Sequence, residues 1–227
     1  MAVAVQVYTE SGTKRAFAGA VEWPGWCRGG RREDDALASL LEYAPRYAGV
    51  VAGSVPGFKA PRSVSDLVVV EHLRGDATTD FGAPSVAPAA DGRPIDAREL
   101  KRLVAILGAS WAAFDRSVDA AMGKELRKGP RGGGRELDGI VDHVIGAEGS
   151  YVAKLAAPRP KTEGRDPREA ADEERGAVRE ALSRAVTHGL PEKGPRGGSI
   201  WLPRYFVRRA AWHVLDHAWE IEDRAGD

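Results

Sequence analysis

Hydrophobic positions recur with two different periods along this chain, and the change falls near residue 95. Before it, Val3, Val5 and Val7 alternate with Ala4 and Gln6, Ser11-Gly12 marks a turn, and residues 15–22 alternate again. Alternation sends successive side chains to opposite faces of a strand, so the pattern predicts a hairpin. Over residues 33–52 the period becomes helical, with Ala36, Leu37, Leu40, Leu41, Ala44 and Ala48 on one side. Pro45 interrupts that helix, since proline has no amide proton and its ring crowds the preceding turn. Residues 67–73 read as a further buried strand, giving a ββαβ outline over residues 1–80. Residues 81–95 carry Gly82, Pro84, Pro88, Gly92 and Pro94 with little periodicity, the composition expected of a linker.

Residues 96–227 predict four helices. The first, over 96–122, has a capping Asp96 and Leu100, Leu103, Leu107, Trp111 and Phe114 at spacings of three and four. The second spans about 136–155. The third opens at Asp166-Pro167, a cap followed by proline at the first helical position, and carries Ala170, Ala177, Val178, Ala181, Leu182 and Ala185 along one side. The fourth covers 203–224. Short connections between amphipathic helices make an up-down four-helix bundle the expected arrangement, so the fold class is α+β. Trp212, Leu215 and Trp219 form a second apolar strip on the fourth helix, expected to meet the N-terminal half or the second copy of a homodimer.

Composition narrows the function classes. Of 227 residues, 43% are apolar and 29% charged, enough for substantial cores. Lys plus Arg and Asp plus Glu are equal at 33 each, so no overall field gathers nucleic acid, and no nucleic-acid partner is expected. The first residues lack the basic and apolar regions of a signal peptide, and no stretch approaches a membrane span, so no membrane partner is expected and the cytoplasm is the expected address. A single cysteine, Cys27, excludes an internal disulfide and an all-cysteine zinc site.

Candidate chemistry lies in the histidines. His213 and His217 are four apart on the fourth helix, which puts both imidazoles on one face within reach of one metal ion. His143, on the second helix, shares a side with Ile140, Ala147 and Tyr151 and can face the same interior. Three neutral imidazoles leave a coordination position open, as a catalytic centre requires and a closed structural one does not. On this ligand set zinc is the default divalent transition metal, and water or a thiol bound to it would lose a proton near neutral pH. Asp216 and Glu220 are candidates to orient the ligand imidazoles, with plain surface carboxylates as the alternative.

A repeat adds a candidate pocket. Lys128-Gly129-Pro130-Arg131-Gly132-Gly133 recurs as Lys193-Gly194-Pro195-Arg196-Gly197-Gly198, each copy just ahead of a histidine-bearing helix. A glycine-rich loop with a basic residue beside a helix N-terminus suits a carboxylate or phosphate, which makes Arg131 and Arg196 candidate substrate contacts; flexible connection is the alternative. Tyr151 is a third candidate for substrate binding.

Two resemblances follow. Phe17-Ala18-Gly19-Ala20-Val21-Glu22-Trp23-Pro24-Gly25-Trp26-Cys27-Arg28-Gly29-Gly30, with a helix opening at Arg32-Glu33-Asp34-Asp35, resembles the HicB-like small α/β fold over about residues 2–75, its Pro-Gly turn feeding the helix. That resemblance implies a packing or recognition domain. Ile140-Val141-Asp142-His143-Val144-Ile145-Gly146-Ala147-Glu148 and Arg209-Ala210-Ala211-Trp212-His213-Val214-Leu215-Asp216-His217 resemble the DinB-like (YfiT-like) four-helix bundles over about residues 96–225. It implies His143, His213 and His217 as ligands of zinc, nickel, iron or manganese. It also implies a thiol transferase, isomerase or hydrolase that uses a low-molecular-weight bacterial thiol on a small electrophilic substrate. The alternative is a non-catalytic module that binds a small molecule or a protein, with the metal stabilising the bundle.

Overall fold

The alternating N-terminal residues form β1 (Val5–Ser11) and β2 (Ala16–Ala20), an antiparallel hairpin in which Val7 faces Ala20 and Tyr8 faces Gly19. A computed structural model describes residues 4–128, 134–194 and 197–226, and there the chain is mixed α+β, with a four-stranded sheet and seven α-helices. The sheet order is β3-β2-β1-β4, with β4 (Leu67–Arg74) parallel to β1 at one edge. The Pro24-Gly25 turn does not feed the helix directly, as the sequence suggested. It leads into β3 (Cys27–Gly30), which pairs antiparallel with β2 through Ala16–Gly19. Those four residues contain no β-branched side chain, so local preference is silent and the ladder with β2 makes the strand.

Two glycines are fixed by their surroundings. A Cβ at Gly19 would lie 2.5 Å from the Tyr8 hydroxyl oxygen, because the tyrosine lies across it. Gly25 has φ +93°, and a Cβ there would meet Ala211 at 3.0 Å, so this turn presses its backbone on the last helix.

As the proline requires, the expected N-terminal helix is two: α1 (Glu33–Glu42) and α2 (Ala44–Val51), the second carrying proline in its first turn. Their Ala36, Leu37, Leu40, Tyr47 and Val51 pack with Val5, Val7, Ala18 and Ala20 of the sheet. The segment expected as a loose linker is instead held tightly. Just ahead of it stands α3 (Ala77–Phe81), whose cap Asp76 accepts from the Thr78 amide at 2.7 Å. Glu10 of β1, fully buried, accepts bonds from Thr79 Oγ1, the Ser85 amide and the Val86 amide. A buried carboxylate needs such donors, so the segment is a strap closed over Glu10.

The four long helices are α4 (Ala97–Ala121), α5 (Leu137–Val152), α6 (Pro167–His188) and α7 (Pro203–Ala225). Asp96 caps α4 through the Glu99 amide at 2.7 Å, and Asp166 caps α6 through the Arg168 amide at 2.9 Å. Leu107 and Trp111 of α4, Ile140 and Val144 of α5, Val178 and Leu182 of α6, and Phe206 and Val214 of α7 share one core. The strip of Trp212, Leu215 and Trp219 meets the N-terminal half: Leu215 and Trp219 pack in one cluster with Trp26, Leu40 and Tyr47, and Trp212 stands edge-on to Phe17 at 6.0 Å.

Arg208 of α7 holds the strap and the sheet together. Its guanidinium is bidentate on buried Asp91, at 2.9 and 2.7 Å, and donates to the carbonyls of Ala20 and Val21 at 2.7 and 2.8 Å. Removing one partner strands a buried charge, so Arg208→Met or Asp91→Ala should each cost about 3–5 kcal/mol in urea unfolding. A loss below about 1 kcal/mol in both would show the pair to be dispensable.

Glu148 of α5 is a second buried carboxyl, 2% exposed, accepting from Trp111 Nε1. Burial pushes its pKa from 4.5 up to about 7, against the opposing pull of Arg175. Between those values the folded state keeps a proton that the unfolded chain has lost, so stability falls as pH rises through the window. Glu148→Gln should therefore gain on the wild type by an order of 2–3 kcal/mol between pH 4 and pH 8. A pH-independent difference in thermal or urea unfolding would contradict this.

Candidate metal centre

Helical spacing does the local work at this site. His213 and His217 stand four apart on α7, and His143 comes from α5 opposite them. One ring nitrogen from each lies within 4.8 Å of the others, and the three ring centroids are 4.8 to 5.0 Å apart. The three histidines lie close enough to bind a metal ion. His213 Nε2 and His143 Nε2 are 3.2 Å apart. Two nitrogens bound at about 2.0–2.1 Å to a tetrahedral ion sit roughly 3.3 Å apart, so this pair already has the spacing of co-ligands.

Two of the three imidazoles, those of His213 and His143, are held toward the neutral, ligating form. Burial pushes the His213 pKa down to about 2, with His217 and Arg209 adding to the effect. His143 is lowered too, by desolvation first and then by Arg135 and His217. His217 Nδ1 is 2.8 Å from Glu220 Oε2, which fixes Nδ1 as the protonated nitrogen and leaves Nε2 for an ion. Glu220 is in turn held by Arg224 Nη1 at 2.8 Å, and the bonds from His217 and Arg224 keep its pKa low. His213 Nδ1 is buried without a hydrogen-bond partner among the described residues. His213 is buried while His143 and His217 are half-buried, so the cluster lies at the edge of the core, where one side of a bound ion would stay accessible.

The other expected residues divide. Glu220 stands beside the histidines, whereas Asp216 turns away and pairs with Arg28 of β3 at 2.8 Å. Tyr151 is beside the cluster, its ring 5.9 Å from that of His213 and 5.1 Å from that of Trp201. Arg131 and Arg196 both lie outside the described residues. The second repeated loop is described at its ends, where the Gly194 amide donates to the Gly198 carbonyl at 2.8 Å.

Arg209 is the residue whose role the sequence reading passed over. It lies one turn before His213, with its guanidinium carbon 4.5 Å from the Trp212 ring centre and 5.7 Å from that of Tyr151. It enters no ion pair among the described residues, and its Nη1 is buried without a partner. The signal was its position in Arg209-x-x-x-His213-x-x-x-His217, which places all three on one helical face. A half-buried cation close to two aromatic rings and beside the imidazoles is equipped to receive an anion.

Comparison with known proteins found no matching family model, curated protein or solved structure.

Protein prepared without an affinity tag should carry about one transition-metal ion per chain by elemental analysis, and His143→Ala, His213→Ala and His217→Ala should each lose it. Glu220→Gln should weaken the metal about tenfold or more while leaving the fold intact. Equal metal content in the wild type and the triple-alanine variant would rule the centre out.

Proposed function

We propose that the protein is a metal-dependent enzyme of the DinB-like kind, which directs a thiol or water onto a small anionic electrophile. The supporting observation is the joint placement of His143, His213 and His217 beside the Tyr151 and Trp201 rings and beside Arg209, which has no ion-pair partner among the described residues. A divalent cation held by the three imidazoles would lower the pKa of a thiol or water bound to it, supplying a nucleophile near neutral pH.

The chain's own residues do the rest. Glu220 keeps the proton of His217 on Nδ1 and so aims Nε2 at the centre. Arg209 would hold a carboxylate or phosphate of the substrate, and the adjoining rings of Tyr151 and Trp201 would exclude water from its apolar part. Cys27 is not the thiol: it is buried, and desolvation pushes its pKa up to about 12, so it stays protonated and unreactive. The thiol must therefore come from solution, in keeping with a small bacterial thiol as co-substrate. In this reading the four long helices are a DinB-like bundle and the N-terminal sheet a HicB-like packing domain.

Metal-loaded protein should consume a low-molecular-weight thiol with an α,β-unsaturated acid as electrophile, and His213→Ala should abolish that turnover. Arg209→Met should raise KM for the acid about tenfold or more and leave metal content unchanged. If wild type and His213→Ala react at the same rate across a panel of thiols and acids, the cluster is a structural clamp and the catalytic reading fails.

A further inference from the structure

The face of α5 turned away from His143 lines a cavity of about 410 Å³, bounded on its other sides by α4 and the first turns of α6. On a wheel of about 100° per residue, Val141, Ile145 and Glu148 lie roughly opposite His143, so this cavity and the histidine cluster use opposite sides of one helix. The volume falls within the roughly 300–1,000 Å³ of small-molecule sites. It is distinct in both place and chemistry from the proposed catalytic centre.

Its walls are apolar inside and acidic around. Val118, Val141 and Ile145 supply apolar surface, while seven carboxyl groups against two guanidinium groups line the same space. Arg175 is spent on Asp115, with bonds of 2.8 and 2.7 Å that leave only its Nε without a partner, and Arg168 is paired with Asp119. Asp166 is occupied in capping α6. Asp138, Asp142 and Asp172 enter no ion pair with the described residues.

The deepest acid is Glu148. It is 2% exposed, its Oε1 takes the Trp111 indole proton, and its Oε2 is buried without any hydrogen-bond donor among the described residues. An orphaned carboxyl oxygen on a lining residue costs free energy, most of all when the group is ionised, unless something donates to it. Its complement is a donor that is also positive, carried on an apolar body that fits the hydrocarbon wall.

We propose that this cavity binds an organic ammonium ion with a compact apolar body, its N–H groups toward the Glu148 carboxyl at the cavity's inner wall and its body against Val118, Val141 and Ile145. The surrounding Asp138, Asp142 and Asp172 draw the cation in, and the same acids repel carboxylates. A neutral isostere could fill the apolar space but would leave Glu148 without a charged partner.

Calorimetric titration of the full chain at pH 8, above the pKa of about 7 to which burial raises Glu148, tests this with 2-phenylethylammonium and cyclohexylmethylammonium, and with 2-phenylethanol and 3-phenylpropanoate as neutral and anionic controls. At least one ammonium should bind at submillimolar concentration, the alcohol about tenfold more weakly or less, and the carboxylate not at all. Glu148→Gln should weaken the ammonium about tenfold or more, and Ile145→Trp, which fills the cavity from its rim, should abolish binding. Should Glu148→Gln fail to fold by circular dichroism, Ile145→Trp alone decides. His213→Ala must leave ammonium binding unchanged, because an amine on a metal ion would vanish with it. The proposal is overturned if neither ammonium binds at millimolar concentration, if alcohol and ammonium bind alike, or if binding survives Ile145→Trp or is lost with His213.

Discussion

A helix enclosed on nearly every side must satisfy several different neighbours with one sequence, and α7 sets that constraint for the whole molecule. One side, with Phe206, Val214 and Ile221, closes the core of the long helices, and another, with Leu215 and Trp219, closes the core under the sheet. Between them Arg208 crosses to the strap and to the backbone of β2 and its following turn. A guanidinium in that place has a high desolvation cost, offset only when most of its N–H groups find acceptors, as they do on Asp91, Ala20 and Val21. The pair therefore fixes register between segments whose apolar contacts alone would tolerate sliding.

The histidine cluster inherits its geometry from that fixation. His213 and His217 follow Arg208 and Arg209 by one and two turns, so any rotation of α7 that moved the imidazoles would also break the Asp91 contact. His143 depends on α5, whose Ile140 and Val144 are locked in the common core. Rigid elements hold the ring nitrogens more accurately than loops would, which would matter for any ion placed among them.

Much of this was legible in the sequence, for reasons that can be named. Asp96, Asp166-Pro167 and Pro203 mark helix starts because each satisfies or avoids an amide at a first turn, and α4, α6 and α7 begin where those residues stand. The imidazole cluster was legible because four-residue spacing has one structural meaning on a helix. By contrast, β3 and the strap were not. The strand Cys27–Gly30 exists because β2 offers an unpaired edge, and the strap is ordered because Glu10 and Asp91 are buried, neither of which is a local property. Asp216 and Glu220 read alike in the sequence, but Arg28, nearly two hundred residues away, claims the first and leaves the second to His217.

Glu148 shows what a periodicity argument can yield when pursued to its end. Ile140, Val144, Glu148 and Val152 form an unbroken spacing of four, so the glutamate sits in the core stripe of α5 as surely as its apolar neighbours. A glutamine or methionine would fit that stripe without an ionisable group, and burial there raises the carboxyl's pKa instead of being relieved by a full partner. The helix thus carries a half-buried imidazole on one side and a buried carboxyl on the other, the carboxyl set into a stripe that stability alone would fill with hydrocarbon. Residues that cost stability where they stand cluster at functional sites, and α5 carries such groups on two of its sides.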